Sequence, residues 1–491
     1  KRAQNQFLQA ETLALLTILV VVLLVSLSKI DDYDIWFHTK SGEYYWNTRS
    51  LPQTDPFLFG MDEGVRDVSE WLSQLLMFFI WSAGGGVALQ LANSLVLIAT
   101  FLLLYKLIRL RECEQWLALA MTLIAIFVAR RRWMPRPFQL VNLGIVILFW
   151  VVERWNREGR NLPRAWVFAL WFMLWTNLHP GAYSGLALLV LFWVSSQFSR
   201  KKMPLSVPLA SGIGSLLNVD LPGQLHKVLT CMTGGETIQN VLEHMPADMD
   251  WISGWFGVFA LIVLATLPRI VGKRRWLDAL LVAGILLYSF RSRRYIDLLA
   301  IIASPPVAQC FSEDLKRIRW NAPMRFRKPA IGLLIGTILA GGIFSMGIDR
   351  SYRAGFGVYG EQLPAEAVAK AQEFGFSGNC FCTYPWGGYL SFYNYPKWKV
   401  YIDGRCLMYG SKRLNEYFDI LRAENWQNIF DKYDVHFAVI DSVESGAGEG
   451  DIKLPNIAGA LFESPDWALV YWDDLSRLFV KRGCGYDPII A

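Results

Sequence analysis

The sequence predicts a polytopic α-helical membrane protein with about eleven transmembrane helices and a C-terminal soluble α/β domain. Three observations carry this. Of the 491 residues, 53% are hydrophobic and 18% are charged, with a mean hydropathy of +0.28; an ordinary soluble domain carries roughly 25% charged residues. Apolar stretches of about 14 to 22 residues recur between short basic clusters. From about Ser351 the composition changes to that of a soluble domain. The expected division is a multi-helix transmembrane domain over 1–350 and an extracytoplasmic domain over 351–491.

Apolar segments lie near 8–28, 86–105, 115–129, 138–152, 165–178, 183–198, 204–217, 251–267, 277–290, 296–311 and 330–347. The first is longer than a signal-peptide core and is read as a retained helix. With the basic N-terminus inside, the alternate loops hold Arg109 and Arg111, Arg154 and Arg157, Lys201 and Lys202, Lys273 and Arg275, and Lys316, Arg317 and Arg319. Each of these loops then obeys the positive-inside rule, which puts the C-terminal domain outside. Segments 115–129, 165–178 and 204–217 fall short of the roughly 20 residues a crossing needs. "SEWLSQLLMFFIWSAGGG" reads either as a half-helix on the outer face or as a further crossing. The net charge of +6 lies in loops between apolar runs. That pattern excludes a nucleic-acid surface, which needs basic residues gathered on one face.

The polar residues on the outer side are uneven. The first outer loop holds Asp31, Asp32, Asp34, His38, Asp55 and Glu70. The later ones hold "RRRWMPRP" with Arg136, "NLHPGA" with His179, a 218–250 segment with Asp220, Glu236, Glu243 and Asp250, and "FRSRRYID" with Arg293 and Arg294. Arginine clusters on the side that should be poor in them mark a site or a pathway. A guanidinium fork binds phosphate in a bidentate way and keeps its charge. Acids beside it suit a divalent cation or a general base that takes a proton from an acceptor hydroxyl. The combination fits transfer of a group from a lipid-linked phosphate. The plainer alternative is that the arginines bind headgroups or pair with the acids. For "NLHPGA" a helix-end turn is favoured over a catalytic histidine, and Glu236, Glu243 and Asp250 read as solvated loop acids.

The motifs "DIWFH", "PQTDPF", "EWL", "TNLHPGA", "RSRRYIDLLA", "YPWGGYL" and "YIDGR" span almost the whole chain. In them the sequence resembles the GT-C superfamily of integral-membrane glycosyltransferases, and more narrowly an uncharacterised multi-pass bacterial group with a C-terminal extracytoplasmic domain. "NVDLPG" departs from the Asn-Pro pair expected there and leaves the role of Asp220 open. The resemblance implies the bacterial inner membrane and a polyprenyl-phosphate sugar donor or other lipid partner. It implies Asp34 as catalytic acid, with Asp31 and Asp32 as rivals, and Glu70 as a supporting acid or metal ligand. Arg136, Arg293 and Arg294 would contact the donor phosphate, with His38 and His179 in the substrate site. Asp34 and at least one of these arginines are expected to line one cavity. The metal stays open. The alternative is a non-catalytic membrane subunit that anchors or caps a complex with protein partners. No Gly-broken inverted repeat supports a transporter.

In the C-terminal domain "LPAEAVAKAQEFGF" has helical spacing, and "SKRLNEYFDILRAENWQNIFDKYD" reads as two helices or one broken helix. "NCFCTY", "KVYIDGR", "HFAVID", "ALVYW" and "RLFVKR" read as strands. "WGGYL" is either a sugar-stacking turn or a turn packed into the core. Asp403 and Arg405 are either a structural pair or part of the site. Cys380 or Cys382 is placed to form a disulfide with Cys406 or Cys484 in an oxidising compartment.

Overall fold

The structure is a computed structural model, which describes residues 2–233, 244–317, 324–349, 351–442 and 456–490. Glu236, Glu243 and Arg319 lie outside them. The chain forms two compact units. The first draws its described residues from 1–30, 84–229 and 239–357, the second from 31–83, 230–238 and 358–491. The C-terminal residues therefore share a unit with the segment that follows the first apolar helix.

The first unit is helical. The apolar segments read from the sequence fall mainly on helices, beginning with Arg2–Ser26 and ending with Met324–Ile348; the one near 251–267 is broken at 253–254 between Met249–Ile252 and Trp255–Gly272. Among the described residues, six helices are long and apolar enough to cross a bilayer: Leu8–Ser26, Trp71–Leu110, Phe138–Arg157, Trp255–Gly272, Arg293–Arg317 and Lys328–Ile348. The protein is a multi-pass membrane protein. Helix Gln115–Ala129 is apolar on all sides and buried almost throughout, packed against Ile296–Arg317. A helix without a polar face belongs at the centre of a bundle. The short helix Ser206–Leu216 approaches Ala165–Leu178 so closely that a Cβ on Gly214 would lie 2.0 Å from the Ala169 carbonyl oxygen. Glycine is needed there for contact, not for a turn.

The helices place their charges at two ends. At one, Arg111 bridges Glu153 and Asp278, Arg157 pairs with Glu153, and Lys273 lies 3.0 Å from Glu313 and 3.1 Å from Asp314. At the other end stand the Arg130–Arg132 turn, Asp250, Asp349 and the start of helix Ile296–Arg317. The charges at the first end all come from loops read as inner, and those at the second from loops read as outer.

The second unit is built on a five-stranded sheet of order β2-β1-β3-β5-β4. Its strands are β1 (Gly378–Cys382), β2 (Trp398–Val400), β3 (Val435–Asp441), β4 (Trp467–Trp472) and β5 (Ser476–Lys481). β1 runs parallel to β2 and β3, while β5 is antiparallel to β3 and β4. All five are the runs expected from the sequence. The doubtful helical stretch is a pair, Cys406–Leu421 and Trp426–Lys432. The segment 71–83 is helical and belongs to this unit; the backbone leaves helical geometry at Gly84 and at Gly85, whose φ is 58°.

Candidate functional site

In the second unit the site begins with helix Asp34–Thr48. Asp32, buried, accepts a hydrogen bond from the Asp34 backbone N–H at 3.0 Å and so satisfies one open donor of the helix start. Asp34 stands in the first turn and is only half-buried. Its carboxylate lies against Gly404 of "YIDGR": a Cβ there would be 2.4 Å from Asp34 Oδ1. Tyr384 closes the same corner, donating its hydroxyl to the Gly404 carbonyl at 3.2 Å. Burial pushes the Tyr384 hydroxyl well above its ordinary pKa, and the charges of Cys406 and Asp34 add to this.

The turn that carries Gly404 is locked. Arg405 Nε donates to both Asp403 oxygens, at 3.1 and 3.0 Å, and Nη2 donates to Oδ2 at 2.6 Å. Nη1 donates to Asp55 Oδ2, and the guanidinium lies over Phe37 and Phe57. Asp55 Oδ1 also accepts the Phe57 and Leu58 N–H groups, each at 2.9 Å. Asp403 is 0% exposed, and Asp55 and Arg405 are 5% each. Burial alone would weaken the proton's hold on Arg405, but Asp403 and Asp55 reverse this and raise its pKa. Asp403 and Arg405 are thus a structural pair. Asp55 completes it from 350 residues away in sequence.

Further along the same helix His38 is buried. Its Nδ1 lies 3.3 Å from Gln74 Nε2 and 3.9 Å from Glu70 Oε2. Asp31 is half-buried before the helix. The structure thus gathers Asp31, Asp32, Asp34, His38 and Glu70 in the second unit. "WGGYL" is packed into this unit's core: a Cβ on Gly387 would lie 1.9 Å from the Ile402 carbonyl oxygen, and Trp386 is buried.

Arg136, His179, Arg293 and Arg294 belong to the first unit. Arg293 Nη2 meets Asp248 Oδ2 at 2.7 Å, and Arg294 Nη1 lies 3.1 Å from His244 Nε2. Arg130 and Arg131 share Asp349, at 2.9 and 3.2 Å. Arg136 is half-buried just before helix Phe138–Arg157. His179 Nδ1 accepts the Gly181 N–H at 2.8 Å, the geometry of a helix-end turn. Asp220 sits against Gly223 at the start of helix Leu221–Thr233. Asp297, which the sequence places with Arg293 and Arg294 in "FRSRRYID", is 2% exposed and accepts from Asn142 Nδ2 at 2.8 Å.

The seven cysteines form no disulfide. The expected pairing of Cys380 or Cys382 is not made; both thiols are enclosed on β1, and burial raises their pKa. Among the described residues no three His, Cys, Asp or Glu side chains converge as a metal site.

No protein-family model and no curated protein matches the sequence. Solved structures do. One is the Archaeoglobus fulgidus oligosaccharyltransferase tethered with an acceptor peptide, with a TM-score of 0.59 and 12% identity over 87% of this chain and 69% of that one. A second is AglB from the same organism, in complex with an inhibitory peptide and a dolichol-phosphate, with a TM-score of 0.57, 13% identity and the same coverage of 87% and 69%. A third is the mycobacterial arabinofuranosyltransferase AftD, with a TM-score of 0.55 and 12% identity over 95% of this chain and 40% of that one. These structures are GT-C membrane glycosyltransferases. The chain has the GT-C fold.

Proposed function

We propose that the protein is a membrane glycosyltransferase that moves a sugar from a polyprenyl-phosphate donor to an acceptor on the extracytoplasmic side of a bacterial inner membrane. The observation that carries this reading is Asp34. In a GT-C fold, the helix after the first membrane segment opens on a half-exposed carboxylate. Asp34 acts as general base toward the acceptor hydroxyl. Asp32 orients the helix start, and Glu70 and His38 support the same helix. Arg136, Arg293 and Arg294 are assigned to the donor phosphate, where guanidinium groups stabilise the departing charge. A dolichol-phosphate bound to one structural neighbour supports the donor class. The C-terminal residues are assigned to the outer side because the loops read as inner carry the basic residues.

The test is transfer from a panel of labelled polyprenyl-phosphate sugars by wild type and by Asp34→Asn. The substitution keeps the shape and removes the proton acceptor. Transfer should fall about a hundred- to ten-thousand-fold, with an unchanged melting temperature. Normal transfer by the variant rejects Asp34 as the base. No transfer by wild type across the panel turns the assignment to a non-catalytic subunit.

A further inference from the structure

The first unit holds a cleft that the transfer reaction does not use, at the end opposite the Arg130–Arg132 turn. It lies between the last turns of helices Trp255–Gly272 and Ile296–Arg317 and has a volume of about 580 Å³. That is the size of a pocket for a small molecule or a headgroup. Three cations, Arg269, Lys273 and Arg317, line it with one carboxylate, Asp314. The rest of the lining is apolar, from Phe311 and Leu315. At Gly272 a Cβ would meet nothing within 4 Å, so the absent side chain leaves the space open.

The acids at this end do not use up the positive charge. Lys273 is divided between Glu313 and Asp314. Arg269 is 3.7 Å from Asp314 with its side chain 52% exposed, a loose pair. Even with Glu313 counted, the cations outnumber the carboxylates. Guanidinium and ammonium groups at one rim suit a phosphate.

What separates a lipid phosphate from a soluble one is the surface that leads to the cleft. Helix Trp255–Gly272 exposes Val258, Leu261, Ala265 and Pro268. Their spacing of three and four residues makes one stripe along the helix, and the next position on it is Gly272. Val258 and Leu261 are 48% and 68% exposed. In a multi-pass membrane protein such a stripe meets acyl chains, so a chain laid along it delivers its headgroup to the cleft.

We propose that this cleft binds one anionic phospholipid, with the phosphate among Arg269, Lys273 and Arg317 and an acyl chain on the 258–268 stripe. The test is native mass spectrometry of the full-length protein in detergent, delipidated and titrated with phosphatidylglycerol or phosphatidylcholine. Wild type should retain one phosphatidylglycerol and discriminate against phosphatidylcholine. Apparent affinity should drop about tenfold or more in the double variant Arg269→Gln/Arg317→Gln, where charge-assisted contacts are lost. It should drop similarly in Gly272→Trp, which fills the cleft and keeps every charge. If Gly272→Trp fails to fold, the double variant decides. Equal retention by the double variant, or equal binding of phosphatidylcholine, overturns the proposal. So does displacement by excess inorganic phosphate, which would make the cleft a site for a soluble anion.

Discussion

Asp34 and Asp403 belong to one unit, and Gly404 ties them together, yet their settings are opposite. Asp403 is fully enclosed and spends both oxygens on Arg405. Asp34 is half-exposed, in the first turn of its helix. The sequence already sets them apart in part, with Asp34 as the candidate catalytic acid and Asp403 as either half of a structural pair or part of the site. Burial separates them. A carboxylate held by a buried guanidinium has no capacity left for a proton or a substrate, and it serves to hold a turn. Asp34 keeps part of its surface open to solvent.

The comparison breaks most sharply at Arg405. Replacing it by Ala leaves Asp55 and Asp403 buried without their counter-charge. Removing one member of a buried pair costs about 3–5 kcal/mol. Arg405→Ala is therefore expected to lower the melting temperature of the detergent-solubilised protein steeply and to raise its sensitivity to proteolysis. Asp34→Asn should leave both unchanged. Equal stability of the two variants would contradict the division between an enclosed and a half-exposed carboxylate.

Gly404 tests the link between the two. An added methyl would meet the end of the Asp34 side chain at 2.4 Å and the Phe37 ring at 3.1 Å, and the half-exposed Asp34 is the one with room to shift. The carboxylate would then be displaced. Misplacing a reacting group by about 1 Å can cost on the order of a hundredfold in rate. Gly404→Ala should therefore reduce transfer by about that factor while the protein melts near the wild-type temperature. A variant that transfers normally would show that Asp34 need not stand where Gly404 places it.

Much of this architecture was legible from the sequence, and the illegible part has a common cause. The strands "HFAVID" and "RLFVKR" and the helical apolar segments carry their periodicity locally. The motifs around Asp55 and Arg405 were both visible, but their ion pair joins residues 350 positions apart and leaves no local trace. The same holds for the grouping of 31–83 with 358–491. "WGGYL" allowed either a sugar platform or a packed turn, because glycine serves close approach in both. Only the Ile402 carbonyl against Gly387 decides for packing. Cys380 and Cys382 invited a disulfide with Cys406 or Cys484 through their place in a domain read as extracytoplasmic, whereas their enclosure on β1 is a property of the sheet.

The smallest expected effect lies at Asp32, and it sharpens the comparison within "DYD" itself. Asp32 and Asp34 are rivals on paper, two residues apart. Asp32 Oδ1 accepts the Asp34 N–H. That hydrogen bond needs an oxygen acceptor but no titratable proton. Asparagine supplies such an acceptor and alanine does not. Losing one such hydrogen bond costs about 1 kcal/mol. Asp32→Ala should therefore lower the melting temperature slightly and disturb the start of helix Asp34–Thr48, with a modest loss of transfer through Asp34. Asp32→Asn should restore both to near wild-type values. At position 34 the same exchange to Asn should be the damaging one. If Asp32→Asn instead abolished transfer as fully as Asp34→Asn, a proton acceptor would be needed at both positions, and the base would have to be assigned to the pair.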